Sequence, residues 1–115
     1  MNVRLEKLGS ITLVIPEGRL DFGTAPAFEK QLQEALAAGG APAALIIDCA
    51  ALDYVSSAGL RAILLAARGS QKAGIAFALC ALKPAVQEVF ELSGFSRIIN
   101  VHPDRATALA AIPRK

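Results

Sequence analysis

The chain has 115 residues, 54% of them hydrophobic and 19% charged, with a net charge of +2 and no Trp. That length and balance fit one domain, residues 1–115, with a core of Ala, Leu, Ile and Val, and they argue against a disordered chain. Acids and bases alternate without a basic stripe, and beyond Arg114-Lys115 no cations cluster, so direct nucleic-acid binding is not expected.

The opening Met1-Asn2-Val3-Arg4-Leu5-Glu6 carries charges among its apolar residues and does not read as a secretory signal. The apolar runs 43–47 and 62–67 are far shorter than the ~20 residues that span a bilayer. A soluble, cytoplasmic protein with no membrane insertion is expected. Segments 3–8 and 11–16, separated by Gly9-Ser10, predict an antiparallel hairpin. Residues 19–22 read as a brief third strand, followed by a helix with Thr24 as N-cap and Pro26 in its first turn. Phe28, Leu32, Ala35 and Leu36 share one face of that helix, and Gly39-Gly40 ends it.

From 43 to 49 the run is apolar without alternation, the pattern of a strand buried on both faces of a parallel sheet. A short turn then leads into a helix opening at Ser56-Ser57, with Leu60, Ile63, Leu64 and Ala67 inward and a stop near Gly69. Residues 75–80 make a second buried strand. Pro84 starts a helix with Val86, Val89, Phe90 and Leu92 on its core face, and Gly94 ends it. A short strand over 98–101 and an Ala-rich helix over 104–112 close the chain. The fold class is α/β: a mixed sheet with an antiparallel N-terminal hairpin and about four helices packed mainly on one face.

The serine pair is the chemical focus. A helix's first turn offers free N–H groups and the positive end of its dipole, so a phosphate there is stabilised. Ser57 is the candidate acceptor, with Ser56 second; the plainer role of either is to cap the helix. Ala58 and Gly59 are small enough to leave the hydroxyl open, and Arg61, four residues on, shares its helix face. Asp21, ahead of another helix, is expected to line the same surface or simply to form a turn. Asp48 and Asp53 flank the connection as backbone caps.

A hydrolase reading would make Ser57 a nucleophile, His102 its base and Asp21 or Asp104 the orienting acid. The nucleophile elbow needs Gly two residues before the serine, where Val55 stands, so no catalytic residue is assigned. Cys49 and Cys80 read as buried, reduced thiols, with no partner at metal-ligand spacing. No glycine spacing signals a phosphate loop, and no cofactor is expected.

Three stretches resemble the STAS domain family, and within it the bacterial anti-sigma factor antagonists, also called anti-anti-sigma factors. They are Glu17-Gly18-Arg19-Leu20-Asp21; Leu45-Ile46-Ile47-Asp48 leading to Tyr54-Val55-Ser56-Ser57-Ala58-Gly59-Leu60; and Pro84-Ala85-Val86 through Phe90-Glu91-Leu92-Ser93-Gly94-Phe95 to Ile98-Ile99. The resemblance implies phosphorylation at Ser57 by an anti-sigma factor that is itself a serine kinase and reversal by a PP2C-type phosphatase; the chain itself is expected to be a monomer or weak dimer. Many relatives carry Asp before the acceptor, where this chain has Ser56. The implied partner surface is Asp21, Ser56, Ser57, Ala58, Gly59 and Arg61. The resemblance also allows an accessory subunit of a lipid or anion transporter that docks through this surface without phosphorylation.

Overall fold

The computed structural model describes residues 1–37 and 42–112; Gly39-Gly40, expected to close the first helix, lie outside them. In chain order the elements are β1 (Asn2–Leu8), β2 (Ile11–Leu20), α1 (Ala25–Ala37), β3 (Ala44–Asp48), β4 (Leu52–Val55), α2 (Ser57–Ala73), β5 (Ala76–Cys80), α3 (Pro84–Ser93), a 3-10 turn (Phe95–Arg97), β6 (Asn100–His102) and α4 (Arg105–Ala111). The sheet order is β1-β2-β3-β5-β6, with β4 paired to the far end of β2. β1 and β2 are antiparallel, and every other pair is parallel.

The unbroken apolar runs follow from burial on both faces of the sheet. Neighbours along a strand point to opposite faces, so Val14, Ile47 and Leu79 face one cluster while Leu13, Ile46 and Ala78 face the other. The larger cluster adds Phe28 and Leu32 of α1, Leu60 and Ile63 of α2, and Val86 and Phe90 of α3. The smaller is closed by Ala108 of α4, with Leu109 and Ile112 at its margin. Each fully buried Leu, Ile or Phe contributes about 1.5–3 kcal/mol, so the three-helix face supplies most of the hydrophobic stabilisation. The expected layout, a mixed sheet with an antiparallel start and helices mainly on one face, is the observed one.

Several local expectations are corrected. Residues 19–22 are not a separate strand: β2 runs on to Leu20, bending where Gly18 takes φ 97° and the register to β4 shifts. The expected turn after β3 contains β4, a four-residue strand with only Leu52 and Val55 buried, too short to show a period. Helix α2 does not stop near Gly69 but continues to Ala73, where Gly74 at φ 72° forms the left-handed cap. Ser70 is fully buried inside it because its hydroxyl donates to the carbonyl of Ala66 at 2.8 Å. Leu92 is 81% exposed rather than in the core, and Ile98, 63% exposed, belongs to the turn before β6. Thr24 does not cap α1 through the helix's own amides. Its carbonyl accepts the first helical bond from the Phe28 N–H at 3.1 Å, while the Asp21 carboxylate closes the turn ahead of the helix, accepting from the N–H groups of Gly23 at 3.0 Å and Thr24 at 3.1 Å.

Candidate functional site

Two features fix where α2 begins. The N–H of Ser56 donates to the carbonyl of Leu20 at 2.9 Å, tying the helix start to the end of β2. Gly59 then packs on the same residue: a Cβ built there lies 2.6 Å from Leu20 Cγ and 2.9 Å from the Leu20 carbonyl oxygen. Any side chain larger than hydrogen forces Leu20 or the start of α2 to shift. The small size of Gly59 therefore serves the packing of α2 on β2, a role that the reading from sequence did not include.

The two serines have separate tasks. Ser56, in extended conformation at φ −93° and ψ 174°, is the N-cap, and its Oγ accepts from the N–H of Gly59 at 3.2 Å. Ser57 is the first residue of the helix proper and is exposed, and its hydroxyl has no hydrogen-bond partner among the described residues. The first-turn amides not used by the cap, together with the helix dipole, give this position a positive field. Arg61, also exposed, lies one turn on and has no carboxylate partner among the described residues. Ala58 is half-buried against the core.

Asp21 adjoins this start through Leu20, but its charge is already engaged. The Thr24 N–H above all holds its carboxyl below the usual carboxylate range, with the Thr24 hydroxyl and the Gly23 N–H adding to it against partial desolvation. The Thr24 hydroxyl completes the turn, accepting from the Asp21 N–H at 2.9 Å and donating to the Arg19 carbonyl at 2.9 Å. The resulting rigid loop presents Phe22, 84% exposed. On β4, Tyr54 lies opposite Arg19, whose guanidinium sits 4.1 Å from the ring centroid. Asp53 next to it forms an ion pair with Lys83, which leads into α3. Sequence reasoning missed Arg19, Phe22, Tyr54 and Lys83. The first and third become neighbours only through the β2–β4 pairing, and that strand was not foreseen.

The serine, histidine and acids of the hydrolase reading are not brought together. His102 is on β6 beside Cys80, Asp104 caps α4 by accepting from Thr107, and Asp21 is spent on its own loop. No side-chain hydrogen bond joins Ser57 to any of them among the described residues. Asp48 caps locally, its Oδ1 accepting from Ala50, while its other oxygen takes up Arg105. Cys49 and Cys80 are buried and unbridged. Burial pushes both thiols upward, Cys80 to about 12, so neither is a thiolate near neutral pH. Among the described residues no cluster of His, Cys, Asp or Glu could hold a metal ion, and no helix is long and apolar enough to cross a membrane.

The family model for the STAS domain matches residues 2–108. A protein of Bordetella bronchiseptica named as an anti-sigma factor antagonist, BtrV, is 35% identical over 111 residues, covering 96% of this chain and 94% of its own. A solved anti-sigma factor antagonist from Mycobacterium paratuberculosis superposes with a TM-score of 0.85 at 27% identity, covering 96% of this chain and 92% of that one. A Thermotoga maritima structure, also named as an anti-sigma factor antagonist, shares the fold at a TM-score of 0.89 with 19% identity, covering 97% of this chain and 95% of that one. These names describe regulatory binding proteins rather than enzymes. With the serine-led helix packed on β2 through its glycine and the family model spanning nearly its whole length, the chain belongs to the STAS domain family.

Proposed function

We propose that the protein is an anti-sigma factor antagonist in a partner-switching pathway, acting as a cytoplasmic binding module of one STAS unit rather than as an enzyme. Unphosphorylated, it binds an anti-sigma factor through the start of α2 and the adjoining surface of Asp21, Ser56, Ser57, Ala58, Gly59 and Arg61, so that the sigma factor is released. The partner is a serine kinase. The Ser57 hydroxyl oxygen attacks the γ-phosphorus of its bound ATP, the bond to the bridging oxygen breaks, ADP leaves, and the hydroxyl proton passes to a base on the kinase. A PP2C-type phosphatase reverses the step by hydrolysis.

The observation that carries this reading is the division of labour between the serines: Ser56 spends its oxygen on the cap, while Ser57 is exposed and unengaged. That favours Ser57 over Ser56 as acceptor. A phosphoryl group there adds about 1.5–2 negative charges at a helix N-terminus that tolerates them, so the fold survives while the docking surface changes sign. Loss of about 3 kcal/mol at the interface weakens binding more than a hundredfold. The transporter-accessory reading is less supported, because relatives matching nearly the whole chain are named as antagonists.

Site-resolved phosphopeptide mass spectrometry of the protein from growing and stressed native cells tests the proposal. A phosphoryl group on Ser57 whose occupancy changes between the cultures, and that does not move to Ser56 in Ser57→Ala, supports it. A well-covered peptide that is unmodified in every condition overturns the switch and leaves docking without phosphorylation.

A further inference from the structure

At one edge of the sheet, among the described residues, β1 pairs only with β2, leaving the outer backbone groups of a seven-residue strand without a neighbouring strand. Such an edge is a template for another strand. The strand also concentrates exposed apolar surface: of the eight large hydrophobic residues exposed among the described residues, Met1, Leu5 and Leu8 lie on or beside it, at 40%, 53% and 45% exposure. It contains no Pro to block pairing.

The charge order selects the occupant. In an antiparallel pairing of the strand with its own copy, centring on Arg4 or on Glu6 sets like charges opposite each other, which is destabilising. Centring on Leu5 does the reverse. Arg4 of each strand then faces Glu6 of the other, twice by symmetry, and the two Leu5 side chains meet on the opposite face. Both charges stand at the surface and would exchange a weak partner for the new one, α4 keeping its firmer contact between Arg105 and Asp48. Arg4 reaches Glu17 at 3.6 Å and Glu6 reaches Arg105 at 3.3 Å, in pairs whose side chains are 38–61% exposed and held weakly.

We propose that β1 is a self-recognition edge, through which two copies pair antiparallel about Leu5 into one continuous sheet, with Arg4 and Glu6 setting the register. The contact is one strand wide, so the dimer belongs among weak, concentration-dependent associations rather than stable complexes. It uses neither Ser57 nor the start of α2, and so stands or falls independently of the switch.

Sedimentation of the full chain from low micromolar to several hundred micromolar is the test, with Arg4→Glu, Glu6→Arg and an equimolar mixture of the two. Each variant alone places like charges opposite and is expected to weaken pairing about tenfold. In the mixture every charge again faces an opposite one, and association is expected to return to within about threefold of the parent. Circular dichroism melts confirm that each variant is folded. A parent that stays monomeric throughout, a dimer indifferent to both substitutions, or a mixture no tighter than its components overturns the proposal.

Discussion

On one face of the sheet three helices of 13, 17 and 10 residues bury Phe28, Leu32, Leu60, Ile63, Val86 and Phe90. On the other, a helix of seven residues buries only Ala108 and is fastened by Arg105, whose Nε lies 2.9 Å from Asp48 and whose Nη1 lies 3.3 Å from Glu6. The first face is held by shape, the second by a smaller apolar cluster together with charge and a cap. Steric contact is insensitive to pH and salt but intolerant of added atoms, whereas polar fastening has the opposite weaknesses. The start of α2 stands on the shape-held face, which suits a site that must keep its position while its own charge changes.

The shape-held face is most sensitive at Gly59. Gly59→Ala adds a methyl 2.6 Å from Leu20 Cγ and 2.9 Å from the Leu20 carbonyl oxygen, and is expected to cost about 1–3 kcal/mol despite the better helix propensity of Ala. Gly69 in the same helix is the control. A Cβ there meets only Leu36 Cδ1 at 3.8 Å, so Gly69→Ala is expected to stabilise by about 0.5–1 kcal/mol. Urea denaturation checks both, and shifts of the same sign would refute the close-packing account.

On the other face, Arg105→Met keeps the length of the side chain but leaves the Asp48 carboxylate, whose side chain is 8% exposed, with only the Ala50 N–H. The Arg105 side chain is 38% exposed, so the loss is expected to be about 1–2 kcal/mol, below that of a fully buried pair. Asp48→Asn in the same background tests the cause. Removing the stranded charge should recover much of the loss, and if it recovers none, packing of the Arg105 stem rather than the ion pair holds the helix.

The two faces were also unequally legible from the chain itself. The runs around Leu45 and Leu79 and the spacing of Phe28, Leu32, Leu60 and Ile63 announce the shape-held face, because hydrophobic period and burial carry the same signal. Ser56 and Ser57 were visible as a helix start, but which of them caps depends on one hydrogen bond to Gly59. β4 was missed because its identity comes from pairing with a bend of β2 across more than thirty residues of chain. The fastening of α4 was missed for the same reason: Arg105 and Asp48 are 57 residues apart, and nothing local marks them as partners. Leu92 misled in the opposite direction, holding a helical register that reaches past the edge of the core.

The smallest expected effect separates the faces by acidity. Asp104 caps α4 through a 2.7 Å hydrogen bond from the Thr107 N–H, which is the main reason its carboxyl is held below the usual range; the Thr107 hydroxyl and His102 add to this, and desolvation opposes it. A carboxyl depressed in the folded state contributes stability above its unfolded value near 3.9, and that contribution is lost as pH falls through the folded value. Asp21 titrates with the same sign in the turn that leads into α1, since its carboxyl is also lowered. The consequence differs, because α1 remains anchored by Phe28 and Leu32 whereas α4 buries only Ala108, with Leu109 and Ile112 at the margin of the smaller cluster. Hydrogen exchange between pH 5 and pH 2, corrected for the intrinsic rate, should show α4 amides losing protection while α1 amides keep theirs. Asp104→Asn, which keeps a good cap without the titration, should flatten the α4 profile. Equal loss in both helices would mean that α4 is held by its apolar contacts after all.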